Sequence, residues 1–178
     1  MNRNILFILL SFITMQLSAQ TPEFIGRPYL WQNKVALSDL ERADASFEFK
    51  ERGLGFGGAA FLYTIATARS KERLDRTMLP SFVIEVANGI DPSEYYTIVR
   101  AEVKKGKRNF LVRSYSMRGK SKDTKEFSVE AEFRRIKDNI FEVILPKDIE
   151  PGEYGFIGVG NSATQMGSRI KISCFGVD

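Results

Sequence analysis

The side chains best suited by type and spacing to do chemistry fall in one window, residues 100–125. It holds ten basic groups (Arg100, Lys104, Lys105, Lys107, Arg108, Arg113, Arg118, Lys120, Lys122 and Lys125) against only Glu102 and Asp123, a local charge of +8. Such a face attracts anions: an anionic glycan, a phosphate-bearing polymer or an acidic protein surface. Arg113, Tyr115 and Arg118 are the sharpest binding candidates in it. A guanidinium fork grips an anionic group through two donors, and a tyrosine ring offers a flat stacking face. Lys104, Lys105, Lys107 and Arg108 complete the candidate face. The competing reading is a solvated hairpin whose lysines discourage edge-to-edge strand pairing.

Other chemistries are narrowed by absences. The chain has no histidine, which removes Ser-His-Asp and Cys-His catalysis, histidine metal sites and the usual switch near neutral pH. Its single cysteine, Cys174, allows no intramolecular disulfide. Cys174 continues the alternation Ile170, Ile172 and reads as a small buried hydrophobe. Hydrolysis by paired carboxylates would need two acids at a set separation in a cleft; Glu85, Glu94 and Glu102 are candidates that the sequence does not pair. Gly53-Leu54-Gly55-Phe56-Gly57-Gly58 matches G-x-G-x-x-G, but strand-like runs flank it on both sides. A dinucleotide site needs a helix after that motif, so a loop is expected and no cofactor. The only tryptophan lies in Tyr29-Leu30-Trp31. It either packs the first strand or forms an aromatic platform for a sugar ring.

The N-terminus sets the compartment. Arg3 precedes an apolar run, Ile5 to Met15, and Leu17-Ser18-Ala19 precedes Gln20. That is the layout of a secretory signal peptide spanning residues 1–19 and cleaved near Ala19/Gln20, with a run too short to cross a bilayer. Gln20 stands where a lipoprotein would carry its cysteine, so no lipid anchor is expected. Export to the periplasm or the extracellular space argues against nucleic acid as partner.

These candidates need elements to hold them, and the rest of the chain reads in period two. Ser46 to Lys50, Phe82 to Val86, Phe127 to Arg134 and Phe141 to Leu145 each alternate apolar with polar, the habit of antiparallel strands with one wet face. Lys105-Gly106 predicts a hairpin, with a glycine bulge, between Thr97–Lys104 and Lys107–Tyr115. Lys137-Asp138-Asn139 joins two further runs. Residues 66–78 have hardly any apolar stripe and read as an exposed loop. Ile149-Glu150-Pro151-Gly152-Glu153-Tyr154 resembles the tyrosine corner of immunoglobulin-like sandwiches, in which the hydroxyl bonds upstream backbone. The expected organisation is a leader over residues 20–28 and one all-β domain over 29–178. That domain is expected to be an antiparallel β-sandwich, immunoglobulin-like, of about nine or ten strands.

Several stretches together resemble a group of uncharacterised exported bacterial proteins: Leu37-x-x-Leu40-Glu41-Arg42, Pro80-x-Phe82-x-Ile84, Asp91-Pro92 before a long strand and a Lys/Arg hairpin, Pro151-Gly152-Glu153-Tyr154, and the ending Cys174-Phe175-Gly176-Val177-Asp178. The resemblance implies a one-domain β-sandwich and supplies no catalytic residues. The functional expectation is therefore an exported, non-enzymatic binding or accessory domain. The alternative is a small carbohydrate-active hydrolase using carboxylates.

Overall fold

The computed structural model describes residues 21–52, 58–115, 121–158 and 165–178. In chain order the strands are β1 (Tyr29–Gln32), β2 (Ala36–Asp39), β3 (Glu41–Arg52), β4 (Gly58–Ile65), β5 (Arg73–Leu74), β6 (Ser81–Glu85), β7 (Tyr96–Lys104), β8 (Lys107–Tyr115), β9 (Ser121–Asp123), β10 (Ser128–Val129), β11 (Glu132–Lys137), β12 (Ile140–Ile144), β13 (Gly152–Gly158) and β14 (Arg169–Val177). Nine of them have five residues or more, and these carry the alternation seen in the sequence. Helix is confined to one turn, α1 (Pro92–Tyr95), and two 3-10 turns among the described residues. None of it is long and apolar enough to cross a membrane.

The chain is all-β and its sheets are antiparallel, apart from the short parallel pairing of β5 with β14. Six strands close on themselves in the order β7-β13-β14-β3-β4-β8 and back to β7. A five-stranded sheet, β11-β12-β6-β1-β2, lies against this barrel. Alternation did not announce the closure, because period two reports which faces are wet and not whether the last strand meets the first.

Two cores result, and they explain the apolar runs near the C-terminus. β7, β13 and β14 form the wall between the layers and bury both faces. Val99, Ala101, Ile172 and Cys174 point into the barrel with Ala43, Ala45, Tyr63 and Phe110. Ile98, Tyr154, Phe156, Phe175 and Val177 point the other way, onto Leu30, Phe82, Ile84 and Val143 of the second sheet. Phe82 meets Phe156 edge-on at 5.1 Å and Phe175 at 5.0 Å, separations at which aromatic pairs add to plain burial. Gly155 faces inward where nothing larger fits: a Cβ there would lie 2.6 Å from Ile172 Cγ2 and 2.9 Å from Phe110 Cε1.

The turns follow their chemistry, with one correction. Lys105 and Gly106 both have positive φ, and Lys104 pairs directly with Lys107. This is a two-residue hairpin of the type I′ pattern, whose twist matches the strands, so no glycine bulge is needed there. Tyr154 donates its hydroxyl proton to the carbonyl of Glu150 at 2.6 Å, as the corner reading requires. The alternating run 127–135 is divided rather than single. β10 pairs with β7 in the barrel sheet and β11 with β12 in the other, so the chain changes layers at Glu130-Ala131. Residues 22–28 lie along the second sheet. Gly26 N–H donates to Glu85 O at 2.7 Å, and Tyr96 donates to Gly26 O at 2.8 Å.

Residues 66–78 are largely exposed and hold only the two-residue β5 and one 3-10 turn, as expected, but Ser70 and Leu74 are buried. Residues 66–74 cross one end of the barrel and close it with charge. Arg108 reaches inward, donating to both Glu41 carboxylate oxygens (3.0 and 2.9 Å), to Thr67 O and Oγ1, and to Ser70 Oγ. Glu153 accepts from Ser70 N–H and Oγ–H at 2.7 Å each, and from Arg73. Arg73 also binds Asp178, which ties the C-terminus to the plug. A stripe-poor segment folds here because its polar groups answer charges inside the barrel.

Candidate functional site at the Val112 bulge

At the opposite end of the barrel no such network closes the interior among the described residues, and a single extra residue decides what faces it. On β8, Arg108 and Phe110 point inward, so strict alternation would send Arg113 and Tyr115 outward with Leu111. The register with β4 shifts instead: Leu62 pairs with Leu111 and Phe61 with Arg113. Val112 is therefore a β-bulge, the device by which a strand re-aims its side chains. Arg113 now stands opposite Phe61 and Tyr115 opposite Ala59, on the inward face. β9 continues this face, with Asp123 opposite Arg113.

The result is an open cavity of about 540 Å³ lined by Phe47, Phe61, Val112, Arg113, Tyr115, Asp123, Thr124 and Lys125. Its floor is aromatic. Phe47 and Phe61 stack with centroids 5.9 Å apart, Phe49 adds at 5.2 Å, and Tyr115 meets Phe61 edge-on at 6.4 Å. Phe47 belongs to the interior core and Phe61 packs against it. The rim is polar. Arg113 Nη1 donates to Tyr115 Oη at 2.9 Å, and its guanidinium lies 5.9 Å from that ring. This hydrogen bond, with the neighbouring Tyr115 and Asp123, pushes the Arg113 pKa further up, so its charge is fixed at any working pH. Lys122, opposite Ser114, is on the other face of the sheet, 5.6 Å over Phe127. A flat apolar floor with a fixed planar cation at its edge suits a ring that carries an anionic group.

The remaining residues of the basic window do not join this site. Lys104, Lys105 and Lys107 are exposed at the β7–β8 hairpin tip, about 26 Å from Tyr115 along a strand at roughly 3.3 Å per residue. Arg108 is 0% exposed and belongs to the plug, not to any binding face. Arg118 lies outside the described residues, as do Gly53–Gly57 of the glycine motif. Of the carboxylates considered for hydrolysis, Glu85 is on the five-stranded sheet, Glu94 in α1, and Glu102 near the hairpin tip. They sit on three separate elements. The buried carboxylates are instead Glu142 and Glu153, each held by arginine. No group of three or more potential metal-ligating side chains occurs among the described residues.

No protein-family model matches the chain, and comparison with curated proteins and with solved structures found no match. The reading of the site rests on its geometry. Of the residues lining this cavity, the sequence singled out Arg113 and Tyr115 but not Phe47 and Phe61. Their alternation on β3 and β4 was visible, but only the bulge and the barrel register bring them under Arg113.

Proposed function

We propose that this chain is an exported, non-enzymatic binding module of the periplasm or cell surface that holds an anionic glycan at the open end of its barrel. The observation that carries the reading is the inward turn of Arg113 and Tyr115 at the Val112 bulge, which sets a permanent cation at the edge of the Phe47–Phe61 floor. Cavities of this size, mainly apolar with a few convergent polar groups, are the usual form of small-ligand sites. Export rests on the residue pattern of 1–19. We also read the packing of the five-stranded sheet on the β7-β13-β14 wall as an immunoglobulin-like sandwich relation, supported by the Tyr154–Glu150 corner.

The test is calorimetric titration with a heparin-derived hexasaccharide. The pair Arg113→Gln and Tyr115→Ala is expected to weaken binding at least about tenfold, the scale of one lost charge-assisted contact. Changing Lys104, Lys105 and Lys107 together to Gln is expected to alter mainly the salt dependence. If the lysine triple abolishes binding while the pair binds like wild type, the site is the hairpin tip and the open-end reading is wrong.

A further inference from the structure

The five-stranded sheet turns its inner face to the core and its outer face away, and the outer face holds a second built cleft. Alternation on β1 sends Leu30 inward and Tyr29 and Trp31 outward. Cross-strand register places Ser81 beside Trp31, and the row Tyr29, Val83, Glu142, Arg134 next to it. The cleft, about 490 Å³, is lined by Trp31, Gln32, Asn33 and Lys34 on one side and Met78, Leu79 and Pro80 on another, with Glu142 and Arg134 between.

Three features of this cleft are poorly explained by structure alone. Glu142 is a carboxylate in the middle of an outward-facing sheet, yet only 2% exposed. It is covered by two long cations: Arg134 donates to Oε2 through Nε (3.1 Å) and Nη2, and Lys34 Nζ lies 3.2 Å from Oε1. Lys34 makes that reach from a left-handed backbone, φ 58°, next to Asn33 at φ 48°. The β1–β2 loop has three residues, Asn33 to Val35, and its turn is closed by Val35 N–H donating to Gln32 O at 3.0 Å; the two-residue β7–β8 turn holds Gly106 at the second of its left-handed positions, where glycine is favoured because it has no Cβ. Lys34 also lies 5.7 Å over the ring of Trp31, the chain's only tryptophan, which is partly buried. Non-glycine residues in left-handed turns gather at functional sites.

The ligand chemistry follows from the partners. Trp31 and the Met78-Leu79-Pro80 wall offer flat apolar surface. Lys34 and Arg134 are each engaged with the buried Glu142, so the cleft offers their spare N–H donors and the Gln32 and Asn33 amides rather than an uncommitted cation. A ring with one apolar C–H face and a rim of hydroxyls uses all of these. We propose that the Trp31–Lys34–Glu142 cleft binds a neutral pyranose ring of a glycan, at a site separate from the open end of the barrel.

The chain carries its own probe, since all tryptophan emission comes from Trp31. The full protein is titrated separately with cellohexaose, maltohexaose and chitohexaose while that emission is recorded. At least one is expected to shift it saturably. Absence of any shift with all three overturns the proposal. Lys34→Gly relieves the left-handed backbone and removes the ammonium. It is expected to weaken binding of the responding sugar by at least about tenfold; unchanged affinity overturns the proposal. Trp31→Ala, followed by calorimetry, is the second arm. Loss of the binding heat is expected, and wild-type affinity overturns the proposal.

Discussion

Arg108 is the residue on which sequence and structure part most sharply. Its type and neighbours make it one more base on a cationic hairpin. The same alternation that buries Phe110, two positions on, also turns Arg108 inward. What makes that tolerable lies far away in the chain, at Glu41, Thr67 and Ser70, and no local pattern announces it. Removing one partner from a buried, fully hydrogen-bonded pair leaves the other charge stranded. Arg108→Ala is therefore expected to destabilise the fold by about 3–5 kcal/mol, read from the urea midpoint. A loss under about 1 kcal/mol would mean that the plug is solvated and contributes little. Cys174 was legible, because its apolar alternation placed it inside. Burial pushes its thiol up to about 12, so the native protein is expected to resist a thiol reagent at pH 8 and to react on unfolding.

Among the elements, strands could be read and their endings could not. Period two marked strands such as β3, β6 and β8, while β7, β13 and β14 bury both faces between the two cores. It failed at Val112, where one extra residue reverses the parity of everything after it. A bulge leaves no mark on composition, and Leu111-Val112-Arg113 reads as ordinary strand. Period two was silent on the interior contacts of residues 66–74, whose partners are inside the barrel and not on the segment itself. Gly155 tests the barrel's packing at this scale. Gly155→Ala drives a methyl into Ile172 and Phe110 and is expected to cost about 1–3 kcal/mol, as overpacking of filled cores does. A neutral result would show that the interior has room that the structure denies it.

For the molecule as a whole, the charge network predicts a bounded pH range of stability. At Glu142, burial works to raise the carboxyl pKa, but hydrogen bonds from Arg134, Ser81 and Lys34 outweigh it and hold it below its ordinary value. A lowered folded pKa contributes stability above the unfolded value, near 4.3, which is lost as pH falls through the folded one. Cys174 and Tyr96 are the reverse case, with burial pushing both up to about 12. Their contribution is whole below the unfolded values, roughly 8.5 and 10, and is lost as pH rises toward 12. The urea midpoint is therefore expected to be flat from about pH 5 to pH 8 and to fall on both sides. A midpoint still rising below pH 4 would contradict the Glu142 assignment.

The functional reading rests on where β8 aims its side chains. The direct measurement is an amide NMR titration of the protein with the heparin-derived hexasaccharide. Shifts are expected at Phe61, Val112, Arg113, Tyr115 and Asp123, around the open end of the barrel. Shifts confined to Lys104–Lys107, with the Arg113 and Tyr115 amides unmoved, would contradict it.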